Sequence, residues 1–232
     1  MSQPRLTFYT ATDQARKKLK APAQILLTLT PEDRSFCPNS YPPIAWKILS
    51  FQHNLDAHIT VSWGNDYGFT IIQQQEDGIV LKGDLSVTVK PRHLAILKEE
   101  NGIKMWTEAS EQRRLSHDAL RVSAYNKTGI PQNLALCTVD NTDSDEPKYL
   151  PVVHTGILKH QQTIESGPPV LLQAYAVAGY QVGQVLKTDD LRRALFRDPA
   201  GDEDPIDIRS FQSGRSFRVY SNHAGKVVID RD

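Results

Sequence analysis

The strongest structural signal in the chain is LRVSAYNKTGIPQNLALCTVD, at residues 120–140. Leu120, Val122 and Ala124 alternate with polar or aromatic residues, which is the two-residue period of a strand that buries one face. Turn-forming residues from 126 to 129 interrupt the pattern, and the alternation resumes after Pro131, a residue that fits the entrance of a strand. The stretch therefore predicts two β-strands around a turn, either as a β-hairpin or as the edge of a sandwich.

A similar pattern occurs upstream. Residues 45–52 align with residues 119–126 at an offset of 74, the step from Ala45 to Ala119, with basic, apolar, aromatic and amide positions coinciding. After one inserted residue the apolar positions of residues 59–61 align with those of residues 134–136. Matched positions in the same order indicate an internal duplication; the alternative is that two sandwiches converged on one strand pattern.

Glycine-containing turns recur along both copies, and a polar segment with little apolar surface separates them. Short strands at regular spacing are typical of antiparallel sandwiches. We therefore predict an all-β protein with two tandem antiparallel β-sandwich domains related by internal duplication, at residues 1–109 and 118–232. Residues 217–229 predict a closing hairpin that pairs back onto one of the sandwiches, because an open sheet edge needs covering. The same need favours a homodimer.

The composition argues against several classes of protein. Lys and Arg number 27, as do Asp and Glu, so the chain has no positive excess with which to bind nucleic acid. No apolar run approaches the roughly 18 residues of a membrane helix, and no apolar signal sequence is evident, so we expect a cytoplasmic protein. That compartment argues against a disulfide between the two cysteines, Cys37 and Cys137.

Aromatic side chains beside amide and carboxylate groups predict a ligand site. Trp63 and Tyr67 flank a turn that contains Asn65, and His58 lies on the preceding strand. Rings of this kind can stack on a sugar or on a flat conjugated ligand while polar groups orient it. The alternatives are that tryptophans in a small sandwich are simply core residues, which applies most to Trp46 and Trp106, and that His58 is an ordinary surface residue.

An acidic loop predicts a divalent cation, Mg²⁺ or Ca²⁺. Asp140, Asp143 and Asp145 lie within seven residues, and such hard oxygen ligands suit these ions. The loop lacks the glycine and the distal glutamate of a calcium helix-loop-helix site, and clustered acidic residues also occur in solvated turns. Both interpretations stay open.

No nucleophile elbow, phosphate-binding loop or dinucleotide-binding motif occurs in the sequence. The main functional hypothesis is therefore a non-enzymatic protein that binds a small aromatic or chromophoric molecule in a cleft between or within the sandwiches. An alternative is a sugar-binding lectin that uses Trp63 and Tyr67, assisted by calcium at the acidic loop. A third is a hydrolase whose histidines and carboxylates converge only in the folded chain.

Residues 124–126, 134–141 and the run Pro-Val-Leu-Leu-Gln-Ala-Tyr at 169–175 give the chain a resemblance to a known family. In these segments it resembles the pink chromoproteins of oyster-type mushrooms, which are intracellular. The resemblance implies two tandem β-sandwich domains, a homodimer, a bound organic chromophore, a divalent cation and no enzymatic turnover. It assigns no ligand-contacting residue, because the matched positions are those of strands.

Overall fold

The structure is a computed structural model that describes residues 5–13, 17–32, 42–64, 66–74, 80–109, 120–141, 146–186, 191, 194–197, 202, 204–210 and 214–231. For residues 74, 80–84 and 109 only the backbone is described. Within these ranges the chain is all-β, with short 3-10 turns at Ile208–Ser210 and at Leu191.

The strands alternate in burial as the sequence pattern requires. In Arg5–Thr10 the side chains of Leu6, Phe8 and Thr10 point inward, whereas Ala23–Pro31 is buried along most of its length, as expected for a strand covered on both faces. The described strands are β1 Arg5–Thr10, β2 Ala23–Pro31, β3 Lys47–Phe51, β4 Ala57–Ser62, β5 Asp66–Gln74, β6 Val80–Val89, β7 Leu94–Glu100, β8 Ile103–Ala109, β9 Val122–Asn126, β10 Gln132–Asp140, β11 Lys148–Leu158, β12 Thr163–Ser166, β13 Pro169–Ala176, β14 Ile206–Asp207, β15 Arg215–Ser221 and β16 Val227–Arg231.

Hydrogen bonding joins these strands into four sheets of four strands each. Sheet I has the order β16-β15-β1-β4, sheet II β14-β13-β2-β3, sheet III β11-β10-β5-β6 and sheet IV β12-β9-β7-β8. Most neighbouring strands are antiparallel, but β1 runs parallel to β15, and β7 runs parallel to β9. The prediction of purely antiparallel sheets is therefore wrong at these two pairs.

The pairing divides the strands into two groups. Sheets III and IV contain only β5 to β12, which we name the central unit, at residues 66–166. Sheets I and II contain β1 to β4 and β13 to β16, which we name the terminal unit. The grouping differs from the predicted division at 1–109 and 118–232, because each of the four sheets takes strands from both of those ranges.

The two units have the same strand order. Each strand can be replaced by the one eight places further along the chain, with the count continuing from β16 to β1. Sheet I then becomes sheet IV, and sheet II becomes sheet III. The two parallel pairs also replace each other under this exchange. Phe8 in β1 and Ala124 in β9 occupy equivalent inner positions, and both are fully buried.

This equivalence does not follow the offset found in the sequence. An offset of 74, from Ala45 to Ala119, aligns β3 with β9, whereas the topology makes β1 the counterpart of β9. Alternation of apolar residues is common to every half-buried strand, so two strands can align in sequence without being equivalent in the fold. The offset of 74 aligns two such strands, which have different neighbours. Residues 120–140 contain two strands as predicted, but β9 and β10 belong to different sheets and do not form a hairpin. The predicted closing hairpin is confirmed as β15 and β16, which join sheet I through β1.

A short junction segment, residues 42–45, connects the two units by backbone hydrogen bonds. On one side the N–H of Ile44 donates to the carbonyl of Val152 in β11, at 2.9 Å. On the other side the N–H of Ala45 donates to the carbonyl of Gln184, at 2.8 Å. Ile44 is fully buried and packs with Ile72 of the central unit. The junction segment thus lies between β11 and residues 183–186 and is bonded to both.

Candidate functional site

Trp63, the first residue of the predicted ligand site, belongs to the hydrophobic core. Its side chain is only 4% exposed, and its ring meets that of Trp46 edge to face with centroids 6.3 Å apart. Trp63 follows β4 on the same face as Val61, which is also buried. A ligand in solvent therefore has little access to this ring.

Tyr67 lies half-buried in β5, opposite Thr138 of β10. Burial raises the pKa of its phenol, the nearby Arg209 guanidinium lowers it, and the carboxylates of Asp207 and Asp66 raise it. Tyr67 therefore lies close to a charged cluster of the terminal unit, in which Arg209 forms ion pairs with Asp207 and Glu32 at 2.6 and 2.7 Å.

His58 points to the opposite side of its strand from Trp63. It is exposed and stacks on Tyr9 of β1, with ring centroids 5.5 Å apart and an interplanar angle of 10°. Because successive side chains of a strand point to opposite faces, His58 and Trp63 do not converge on one ligand. Asn65 lies outside the described residues.

The predicted metal loop starts beside the predicted aromatic turn. Asp66 pairs with Val139 across the strands, and the Nδ2 of Asn141 donates to the carboxylate of Asp66 at 2.8 Å. Asp140 is half-buried opposite Lys148, whereas Asp143 and Asp145 lie outside the described residues. Among the residues with described positions, no group of three or more His, Cys, Asp or Glu side chains could hold a metal ion.

A ligand-sized cleft occurs elsewhere, in the terminal unit. It has a volume of about 670 Å³ and lies where the end of β13 and residues 194–197 face the β15–β16 hairpin. Volumes of this size are usual for small-molecule sites. Its described lining residues are Ala176, Ala194, Leu195, Arg197, Asn222, Lys226, Val227 and Val228. Sequence patterns did not single out any of them as a site residue.

One wall of the cleft is fixed by a buried glutamine. Gln173 in β13 accepts a hydrogen bond from the N–H of Phe196 at 3.0 Å and donates one to its carbonyl at 3.1 Å. The N–H of Leu195 also donates to the carbonyl of Ala174 at 2.8 Å. The ring of Phe196 packs on that of Phe217, with centroids 5.4 Å apart. These contacts hold residues 194–197 against sheet II although they form no regular strand.

The facing wall is the turn of the β15–β16 hairpin, which is held by hydrogen bonds within the turn and by hydrogen bonds from Lys20. Inside the turn, the N–H of Lys226 donates to the Oδ1 of Asn222 at 3.0 Å, and Gly225 adopts a φ of 77° that favours glycine. From the segment before β2, Lys20 donates through its Nζ to the carbonyl of His223 at 3.2 Å and through its N–H to the Oγ of Ser221 at 3.1 Å. The cleft is therefore largely preformed, which lowers the entropic cost of binding.

The cleft combines apolar walls with a basic rim. Five of its eight described lining residues are aliphatic, and two of the remaining three, Arg197 and Lys226, carry positive charge. Aliphatic walls bury the body of a ligand, and a few polar groups orient it. No carboxylate occurs among the described lining residues.

A histidine and a carboxylate do meet in the central unit, which bears on the hydrolase alternative. The Nδ1 of His93, the residue before β7, lies 2.6 Å from a carboxylate oxygen of Glu108 in β8, and both side chains are partly exposed. Neither residue lines the cleft. No hydroxyl or thiol is hydrogen-bonded to the His93 ring among the described contacts, so the pair does not form the arrangement of an activated nucleophile.

No protein-family model, curated protein or solved structure matches the chain. Across the described ranges, no helix has the length and apolar character that crossing a membrane would need.

Proposed function

We propose that the chain is a non-enzymatic protein that binds a small aromatic or conjugated molecule, a chromophore, in the cleft of the terminal unit. The preformed, ligand-sized space of about 670 Å³ is the observation that carries the proposal. Ala176 and Ala194 are small and leave room for a flat ring, while Leu195 and Val227 provide branched aliphatic contacts. The ring of Trp63 takes no part, because it packs in the core.

We also propose that each unit is a β-sandwich and that the two arose by internal duplication. The identical strand order of the two units supports this, including the equivalent parallel pairs β1 with β15 and β9 with β7. In the duplicated arrangement, the terminal unit contains strands from both ends of the described chain, and the strands of the central unit come between them in the sequence. The homodimer, the divalent cation and the cytoplasmic location remain predictions.

The chromophore is tested by the absorption spectrum of the protein purified from its natural source. We expect a band at longer wavelength than the absorption of the protein's own aromatic rings. A protein that shows only its own ring absorption, and releases no organic molecule on denaturation, would contradict the proposal of a resident chromophore.

The location is tested by filling the cleft. Ala176→Trp places a large ring among the lining residues, so we expect it to abolish ligand binding while the fold persists. Ala178→Trp is the matched control, because Ala178 is exposed and lies just beyond β13. Equal binding by both variants would show that the ligand lies elsewhere.

A further inference from the structure

The positive rim of the cleft bears on the chemistry of its ligand. Lys226 is exposed on the hairpin turn and lines a space whose other described walls are mainly aliphatic, so that its flexible side chain can bring an ammonium group to the rim. Arg197 adds a second positive charge on the facing wall, where its Nε donates to the carbonyl of Ala194 at 2.9 Å. An anionic group on a ligand would pair with Lys226 at this rim, whereas a neutral ligand would not.

Asn222 adds a polar group beside Lys226. Its Oδ1 accepts the N–H of Lys226, and its own N–H donates to the carbonyl of Lys226 at 2.9 Å. The backbone of the turn is therefore closed on itself, and the Nδ2 of Asn222 is the group of this side chain that suits an acceptor on a ligand. A cation and an amide donor at one end of an aliphatic slot match an anionic headgroup on an apolar body.

We infer that the cleft selects a flat organic acid whose anionic group lies at Lys226 and Asn222 and whose ring system lies between Leu195 and Val227. The inference rests on the proposed function, because it assigns a ligand class to the same cleft. It adds a direction of binding, with the charge at the hairpin turn and the apolar body toward Ala176.

Two fluorescent probes that differ in charge test the inference on the full chain. Anilinonaphthalene sulfonate is anionic, and phenylnaphthylamine has the same rings without the sulfonate. We expect the anionic probe to bind more tightly and its affinity to fall in high salt, because screening weakens exposed charge pairs. The neutral probe should show no such salt dependence.

Lys226→Gln should weaken the anionic probe about threefold to fivefold, the range expected for one exposed charge pair, and leave the neutral probe unchanged. Lys226→Glu should weaken the anionic probe further. Lys159→Gln is the control, since Lys159 is exposed in the turn between β11 and β12 of the central unit. Near-ultraviolet circular dichroism checks that each variant remains folded.

The outcomes separate the two proposals. If Ala176→Trp abolishes binding of both probes but Lys226→Gln affects them equally or not at all, the cleft binds ligands and the selection for acids is wrong. If Ala176→Trp leaves both probes bound, the cleft is not the binding site and the proposed function fails with it. Selective loss of the anionic probe in Lys226→Gln supports both.

Discussion

The side-chain amide of Gln173 is hydrogen-bonded to both backbone groups of Phe196, at 3.0 and 3.1 Å. Gln173 is buried and lies in β13. Its amide donates to and accepts from the backbone of residues 194–197, as the backbone of an adjacent strand would. The wall of the candidate cleft thus depends on this side chain and on the bond from the N–H of Leu195 to the carbonyl of Ala174, rather than on a continuous ladder.

Replacing Gln173 with leucine should therefore destabilise the protein and loosen the cleft. The N–H of Phe196 would lose its partner in a buried setting, whereas its carbonyl would keep the N–H of Asp204 at 3.1 Å. The loss of the buried partner costs roughly 1–3 kcal/mol of unfolding free energy. Urea denaturation measures the loss. Gln24→Leu is the control, because Gln24 is exposed in the neighbouring strand β2 and its replacement should change stability by less than about 0.5 kcal/mol.

Asn126 is the second buried amide whose loss should be costly. Its Nδ2 donates to the carbonyls of Ile130 and Leu158, both at 2.9 Å, and its Oδ1 accepts the N–H and the hydroxyl of Thr128. Asn126→Ala should lower the unfolding free energy by roughly 2–4 kcal/mol, since several buried groups lose partners. Lys127→Ala, at an exposed neighbour, should have little effect. Similar stabilities for the two variants would mean that the network contributes little.

These two networks show what a sequence can and cannot reveal. Alternation and turn residues are local, so strands such as β1 and the β15–β16 hairpin could be predicted. Phe8 pairs in parallel with Phe217, and no local pattern encodes a partner so distant along the chain. Trp63 was predictable as core, because it continues the inward parity of Val61. The hydrogen-bonding role of Gln173 could not be predicted from the sequence, because it depends on where residues 194–197 meet sheet II in the folded chain.

Acidification should weaken the protein through His154, at the edge of the central unit. Its Nε2 lies 2.7 Å from the Oδ1 of Asn133, and burial lowers the pKa of its ring. Because the unfolded chain then binds the proton more readily, the stability contributed by neutral His154 is present above about pH 6.5 and is lost as the pH falls through the lowered pKa.

Denaturation at several pH values tests this. His154→Gln should flatten the stability profile below about pH 6.5, by at most about 1.4 kcal/mol per pH unit, the limit for one proton. The control is His53→Gln, since His53 is exposed. Parallel profiles for the wild type and His154→Gln would remove His154 as the acid-sensitive group.

Arg209 should contribute a small, pH-dependent stabilisation near Tyr67. Its side-chain hydrogen bond is the main reason that the pKa of Asp207 lies below its usual value. The contribution is therefore present above about pH 4 and is lost as the pH falls through the lowered pKa of Asp207. Arg209→Gln should cost about 0.5 kcal/mol at neutral pH, because the pair is partly exposed, and nothing once Asp207 is protonated. A constant difference at every pH would assign the effect to packing instead.

The division of the strands predicts which fragment of the chain folds alone. Every described strand of residues 66–166 has its partner strands within that range, and β11 bonds in addition to the junction segment. In contrast, β1 and β2 of residues 1–109 lose β15 and β13. A fragment of residues 63–168 should therefore unfold cooperatively and show dispersed amide resonances. It does so although one hydrophobic cluster contains residues of both units, so that the fragment exposes its part of that cluster together with Ile72 and Ala135. A fragment of residues 1–109 should remain unfolded or aggregate through its unpaired strands. If residues 1–109 fold cooperatively and residues 63–168 do not, the pairing-based units are not the folding units of this protein, and the tandem division at 109 and 118 describes it better.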